Sequence, residues 1–223
     1  MYAGVKPWNP FIGCKFRCTY CVPSFQRIVK WVARMQKSGC KGCQGFLPHE
    51  HPGRLTQRLP GDAIIWPCAH GDISFARPDY IKRVIERTKE YPKKTFYWQS
   101  KSPKCFEQYL SCFPENTILL TTLETNRDEQ YNQISRAPVP SVRFDAFLNI
   151  KWPRKIVTIE PILDFDGDEF LGWMWELMPE SVWIGYNSKA KSVKLPEPPT
   201  EKTLKFIKLL ESKGITVKRK TMR

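Results

Sequence analysis

The sequence is poor in histidine, in long apolar runs and, over its first quarter, in acidic residues. Only three of its 223 residues are histidines. No window approaches 18 uncharged apolar residues, which excludes a membrane-spanning helix. The opening MYAGVKPWNP has no basic segment followed by an apolar segment and a cleavage site, so it does not look like a secretory leader. We therefore expect a soluble cytoplasmic protein with no membrane association.

Acidic residues are scarce at both ends of the chain. Residues 1–61 contain 10 Lys/Arg and one acid, and residues 189–223 contain 11 and three, within a net charge of +14. The stretch between them has 15 basic and 18 acidic residues. Two basic segments of this kind attract a polyanion such as DNA or RNA, although an ordinary solvated surface has the same composition.

Short apolar runs alternate with helical patterns along most of the chain. The runs are AIIWPC (63–68), KTFYWQ (94–99), TILLTTLE (117–124), KIVTIEPI (155–162) and SVWIGY (181–186). Helical spacing predicts helices over 24–37, 79–91, 103–112, 127–134, 170–177 and 201–212. With PWNPFIG as a first strand, the pattern predicts one α/β domain of six β/α units with parallel strands. Residues 39–60 form a loop insertion, and 200–223 a last helix with a short strand at ITVK (215–218).

Polar residues follow the predicted strands with regularity. They are His70, Gly71 and Asp72; Ser100 and Lys101; Thr122 and Glu124; and Glu160. Ligand-binding groups of parallel α/β folds lie at the carboxyl ends of strands, so these residues are candidates for one site. Asp72 is equally suited to capping a helix or forming a turn, as are Ser102 and Asn126, which also follow predicted strands.

Eight cysteines in a reducing compartment favour free thiols or metal ligands over disulfides. Cys14, Cys18 and Cys21 have the spacing C-x3-C-x2-C within CKFRCTYC. A structural zinc ion needs a fourth ligand, whereas an iron–sulfur cube can be held by three cysteines with one iron left open. The three thiols alone leave these alternatives unresolved.

A second group of donors follows in the 39–60 segment. Cys40 and Cys43 are separated by two residues, and His49 and His51 come shortly after. The set C-x2-C-x5-H-x-H has enough donors for a tetrahedral zinc ion. A redox-active thiol pair, a second cluster or simple loop residues are the alternatives.

CKFRCTYC resembles the cysteine motif of the radical S-adenosylmethionine superfamily, C-x3-C-x-aromatic-C, with Tyr20 as the aromatic residue. The resemblance covers almost the whole chain and implies a partial (β/α)6 TIM-like barrel. Within the superfamily, WNPFIGC, FLPHEHPGRL, IEPIL and WIGYNS are similar to stretches of the phage-associated three-Cys-motif proteins. A more distant similarity is to spore photoproduct lyase.

The resemblance implies a role for each candidate residue. Cys14, Cys18 and Cys21 would bind a [4Fe–4S] cluster whose open iron chelates S-adenosylmethionine, and one-electron cleavage would give a 5′-deoxyadenosyl radical. The predicted S-adenosylmethionine contacts are His70, Gly71, Asp72, Ser100, Lys101, Thr122, Glu124 and Glu160. His70–Asp72 departs from the family's Gly-Gly-Glu turn, having one glycine and Asp in place of Glu. Cys68 is a candidate hydrogen donor by position, and an external flavodoxin or ferredoxin would supply the electron.

Three hypotheses about the substrate remain. The first is radical chemistry on a nucleic-acid base or nucleotide, with basic residues attracting phosphates and aromatic residues stacking on bases. Its sequence support is the two basic segments and five aromatic residues (Trp8, Phe11, Phe16, Tyr20, Trp31). Helical spacing also draws a basic stripe (Arg27, Lys30, Arg34, Lys37, Lys41), although such a stripe is usually only a solvated face. The second is the same chemistry on a small metabolite or peptide. The third is a non-enzymatic zinc or iron–sulfur module that binds nucleic acid.

Overall fold

A computed structural model describes residues 4–36, 39–61 and 64–222. Its strands are β1 Val5–Trp8, β2 Phe11–Ile12, β3 His49–Glu50, β4 Ile64–Pro67, β5 Phe96–Gln99, β6 Thr117–Thr122, β7 Lys155–Ile159, β8 Ser181–Ile184 and β9 Val217–Arg219. Its α-helices are α1 Arg27–Met35, α2 Lys41–Gly45, α3 Pro78–Lys89, α4 Pro140–Asn149, α5 Gly167–Leu177 and α6 Thr200–Ser212.

Seven of the described strands form one parallel sheet in the order β1-β4-β5-β6-β7-β8-β9. The sheet curls into a half-barrel, and connections that contain helices join most neighbouring strands. This confirms the predicted single α/β domain with a partial TIM-like barrel. β2 and β3 form a separate antiparallel pair beside it.

The central strands are buried on both faces, which explains their nearly continuous apolar sequences. Alternate side chains belong to two different clusters. Leu119 and Val157 pack in the main core, together with residues of α3, α4, α5 and α6. Leu120 and Ile156 pack in a smaller cluster on the opposite face of the sheet. Polar groups that follow these strands are therefore carried on a rigid scaffold.

The first strand and the last strand differ from the prediction in their limits. β1 ends at Trp8, and Asn9 and Pro10 separate it from β2, so PWNPFIG is not one strand. Proline cannot donate a ladder hydrogen bond, which accounts for the break. The C-terminal strand is present at Val217–Arg219 rather than 215–218. Ala63, which was included in the predicted second strand, lies outside the described residues.

The helix predicted over 103–112 is present only as a shorter 3-10 helix, the helix predicted over 127–134 is wrong, and α2 and α4 were not predicted. Residues 103–112 contain a 3-10 helix at Pro103–Tyr109, and residues 127–134 contain only a 3-10 turn at Tyr131–Gln133. The crossover between β6 and β7 is instead made by α4, which begins at Pro140. Proline favours the first turn of a helix, and that signal was available in the sequence.

The helix predicted over 24–37 is shorter than expected. Val22–Gln26 forms a π-helical turn, and α1 covers Arg27–Met35. Lys41 belongs to α2, so it does not continue the stripe of α1, and Lys37 lies outside the described residues. No helix in the described part of the chain is long and apolar enough to cross a membrane.

Candidate active site and a second ligand cluster

A cavity of about 400 Å³ opens at the carboxyl ends of the parallel strands. Its walls bring together most of the predicted site residues, which are far apart in the sequence. Those in the walls are Cys14, Cys18, Cys21, His70, Gly71, Asp72, Ser100, Lys101, Thr122 and Glu160. The volume lies within the usual range for small-molecule and cofactor sites.

The cysteine loop is fixed to the turn that follows β4. Gly13 N donates to the carbonyl oxygen of His70 at 3.0 Å, and Asp72 N donates to that of Gly13 at 3.2 Å. A Cβ on Gly71 would lie 2.8 Å from Gly13 O, so only glycine allows this close approach. The loop that begins at Cys14 therefore starts from a defined position at the cavity edge.

The three thiols of this loop are partly or fully buried. Burial, with the nearby Asp72 charge, raises the pKa of Cys14 well above its usual range. Burial also raises the pKa of Cys21 to about 11. Binding of a metal to Cys14 or Cys21 would therefore displace a proton from the thiol.

Asp72 joins the strand ends beneath the loop. Its Oδ1 accepts hydrogen bonds from Ser74 N at 3.1 Å and from Ser100 Oγ at 2.7 Å, and its Oδ2 accepts one from Lys101 N at 2.9 Å. The side chain is 5% exposed. Asp72 and Ser100 thus hold the turns after β4 and β5 together, whatever further contact they make in the cavity.

A buried charge network lies below the cavity around Glu124. Its Oε2 is 2.8 Å from Arg143 Nη1, and its Oε1 accepts from Tyr131 at 3.0 Å and from Tyr20 at 2.5 Å. Lys101 Nζ donates to the same carboxylate. Burial alone would raise the pKa of Glu124, but the charges of Arg143 and Lys101 outweigh it and lower the pKa to about 2.

This network changes what the predicted residues do. Glu124 is fully buried and is not among the residues of the cavity wall, whereas Thr122 is. The motif aromatic Tyr20 contacts Lys101 and Glu124, which links the cysteine loop to the sheet. The sequence interpretation missed Arg143, although an acid expected inside a barrel requires a cationic partner.

Glu160 and Cys68 have different surroundings. Glu160 lines the cavity with 21% of its side chain exposed and is ion-paired with Lys220. Cys68 is 3% exposed and packs in the main core, and it is not part of the cavity wall. Its position gives no support to the hydrogen-donor interpretation.

The two basic segments meet at the cavity. Arg27 from the first segment lines it together with Lys189 and Lys220 from the last. Trp31, one helical turn beyond Arg27, is 61% exposed.

Two of the five aromatic residues expected to stack on bases, Trp8 and Phe11, are buried in the main core. For these two the interpretation was wrong, because a side chain enclosed in a core has no face left for a base. Phe16 packs against Phe75 and, like Tyr20, lines the cavity.

A second cluster of ligands lies beside the cysteine loop. The ligand atoms of Cys40, Cys43, His49 and His51 all lie within 4.8 Å of one another. Cys40 and Cys43 come from the start of α2, whereas His49 and His51 come from β3 and the residue after it. This is a metal-binding arrangement of residues, as the C-x2-C-x5-H-x-H spacing predicts.

Comparison with solved structures gives a fold relationship. The chain is similar to a radical SAM methyltransferase from Sphaerobacter thermophilus, with a TM-score of 0.62 and 14% sequence identity. The match covers 100% of this chain and 68% of the other. Neither protein-family models nor curated proteins give a match. At 14% identity the likeness establishes a shared fold, and the activity must be argued from the site.

Proposed function

We propose that the protein is a radical S-adenosylmethionine enzyme of the cytoplasm. The observation that carries this proposal is the position of Cys14, Cys18 and Cys21. They line a cofactor-sized cavity at the carboxyl ends of a parallel half-barrel, and the fold is one that a radical SAM methyltransferase also has.

The residues present fit a [4Fe–4S] cluster with one open iron. Three thiols line the cavity, and three cysteines can hold such a cluster with one iron left without a protein ligand. When bound, the cluster and S-adenosylmethionine would supply one-electron cleavage of the sulfonium and a 5′-deoxyadenosyl radical. An external flavodoxin or ferredoxin is the proposed electron donor.

The chain's own groups would orient the cofactor and keep the cavity ordered. Lys101 places a cation beside the cysteine loop, and its backbone N–H is held by Asp72. Gly71 allows the backbone to approach closely, and Thr122 presents a hydroxyl to the cavity. These residues are the proposed contacts of S-adenosylmethionine, with Glu160 and His70 at the wall.

Anaerobic purification followed by reduction in the presence of S-adenosylmethionine tests the proposal. We expect cluster absorption, acid-labile sulfide and release of 5′-deoxyadenosine from the wild-type protein. Cys18→Ala should lose all three, whereas Cys112→Ala, which changes a half-buried cysteine outside both ligand groups, should retain them. Release of 5′-deoxyadenosine by Cys18→Ala would contradict the assignment.

For the substrate, we propose a nucleic-acid base or nucleotide, with modification or repair as the reaction. Arg27 and Trp31 lie on one face of α1, where they can contact a phosphate and stack on a base. Lys189 extends the basic surface to the other side of the cavity. A base within a duplex would have to leave the stack to reach the cavity.

Deuterium transfer from labelled DNA, RNA or metabolites into 5′-deoxyadenosine would identify the substrate class. Binding of DNA or RNA should weaken with salt, because phosphate contacts release counterions. Arg27→Gln should reduce that salt dependence, with Lys104→Gln, an exposed lysine outside the cavity wall, as the control. Deuterium transfer from a metabolite or peptide alone would favour the hypothesis that the substrate is a small metabolite or peptide.

A further inference from the structure

Four ligand atoms in the 40–51 segment are placed as the corners of a metal site. His49 Nε2 lies 3.2 Å from Cys40 Sγ and 3.3 Å from Cys43 Sγ, and His51 Nε2 lies 3.3 Å from Cys43 Sγ. Zn–S bonds of about 2.3 Å and Zn–N bonds of about 2.0 Å at tetrahedral angles separate S from N by about 3.5 Å. The observed separations are close to that geometry.

The groups around these ligands prepare them for a metal. His49 Nδ1 is 2.6 Å from the carbonyl oxygen of Leu47. A carbonyl only accepts, so Nδ1 carries the proton and Nε2 presents its lone pair to the site. Cys43 N donates to Cys40 Sγ at 3.4 Å, which fixes the position of that sulfur. A Cβ on Gly42 would lie 2.6 Å from the His49 ring, so glycine makes room for that ligand.

The same segment supports the cysteine loop of the cavity. Ile12 pairs with His49 in the two-stranded sheet, and His51 N donates to the carbonyl oxygen of Pro10 at 2.6 Å. The Leu47 carbonyl that orients His49 lies directly against Gly13. Cys43 packs in a cluster with Ile12 and α1, against which Cys14 and Cys21 also pack.

We propose that Cys40, Cys43, His49 and His51 bind one structural zinc ion, which holds the 40–51 segment against the loop that carries Cys14. Two thiolates and two imidazoles close the tetrahedron, so the ion has no position for a substrate. The segment has few buried apolar side chains of its own, and a metal supplies the stability that such a small core lacks. Zinc binding by these four residues does not depend on the proposed radical chemistry, whereas the measurement of iron uptake described below rests on the proposed cluster.

Zinc, iron and sulfide counts on anaerobically purified full-length protein test the proposal. We expect about one zinc per chain in the wild type, as four closed ligands require. Cys43→Ser should lower zinc by about tenfold or more, whereas Cys18→Ala and the control Cys112→Ser should retain it. A wild type without zinc, zinc content unchanged by Cys43→Ser, or iron in place of zinc at these residues would overturn the proposal.

A second measurement keeps the test independent of whether Cys43→Ser folds. In the Cys14→Ser/Cys18→Ser/Cys21→Ser protein, the proposed zinc ligands remain intact. After its metal is removed, added Co²⁺ should saturate at about one per chain with the strong absorption of a tetrahedral thiolate site, and zinc should displace it. Weak octahedral absorption or no saturation would overturn the proposal.

The supporting role of the ion has its own readout. Wild-type protein stripped of zinc should take up less iron and sulfide on reconstitution than protein that retains zinc, and added zinc should restore the uptake. Equal uptake with and without zinc would show that the ion does not position the cysteine loop.

Discussion

The two groups of cysteine ligands lie side by side but differ in what they leave open. Cys14, Cys18 and Cys21 line a cavity and offer three thiols, which we propose as cluster ligands. The 40–51 group supplies four ligands that converge on one point. The number of ligands, and whether they surround one point or face a cavity, distinguish a reaction site from a structural site more clearly than the presence of cysteine does. Both groups pack against the same apolar cluster, and the loop that carries the open group is joined in addition, through Tyr20, to a buried charge network.

Removal of the central charge of that network should have the largest effect on stability. Glu124→Gln keeps the shape of the side chain but leaves Arg143 and Lys101 without a counter-charge in a buried position. We expect the free energy of unfolding to fall by about 4 kcal/mol, with zinc retained in the folded protein. Chemical denaturation measures the loss.

The matched control for this change is Glu180→Gln. Glu180 pairs with Arg154 at 2.7 Å, and both side chains are more than a third exposed. Exposed pairs contribute little, so we expect a change of about 0.5 kcal/mol. Equal effects of the two substitutions would mean that the network does not support the open site.

A single substitution between the two groups should damage both. Gly13 has a φ of +94°, and a Cβ there would lie 2.1 Å from the carbonyl oxygen of Leu47. Gly13→Ala should therefore lower the free energy of unfolding by about 3 kcal/mol and reduce both zinc and iron content. Gly53→Ala, where a Cβ meets nothing within 4 Å, is the control. Full loading of both metals in Gly13→Ala would show that the two groups are independent.

Acid should remove the contribution of the network selectively. The pKa of Glu124 is lowered from 4.5 to about 2, so its ionised form stabilises the fold. That stabilisation is complete above the unfolded pKa and is lost as pH falls from 4.5 toward 2. The stability difference between wild type and Glu124→Gln should shrink by about 2 kcal/mol by pH 3. A stability difference that stays constant between pH 7 and pH 3 would contradict the lowered pKa of Glu124.

The smallest expected effect concerns Asp72, which joins the turns at the cavity edge. In Asp72→Asn the side chain has one oxygen that can accept hydrogen bonds, whereas two oxygens accept them in the wild type. We therefore expect the free energy of unfolding to fall by about 1 kcal/mol. The dissociation constant for S-adenosylmethionine distinguishes a purely structural role from the predicted contact. A rise of about tenfold would indicate a lost contact of about 1.4 kcal/mol, and an unchanged constant would assign Asp72 to the turns alone.

Prediction from the sequence succeeded for the parts of the fold in which the pattern of apolar residues agrees with the packing. Strands such as TILLTT (117–122) are apolar on both faces, and the C-x2-C-x5-H-x-H spacing already contained the four-ligand group. The helix over 140–149 was missed because Arg143 interrupts its apolar side. The buried partner of that arginine, Glu124, lies on another element, and a pairing between distant residues leaves no periodic signal.

Most predicted cavity residues were found from their positions after strands, because the carboxyl ends of parallel strands meet at one edge. Their individual roles did not follow from position. Cys68 and Glu124 come after strands like the others, but both lie below the cavity wall. Whether a residue after a strand faces the cavity or the core depends on turn geometry, such as the φ of +60° at Cys68, which composition does not reveal.

The spacing of ligands along the chain has a consequence for the order of assembly. The closed group forms from residues 40–51 and touches nearby residues such as Pro10 and Gly13, whereas the cavity wall joins Arg27 to Lys220. Contacts between distant residues form late, because they must bring together the ends of a long loop. During synthesis the proposed zinc ion can therefore bind to a short nascent segment, while the cavity takes shape only after the chain through Lys220 has emerged from the ribosome.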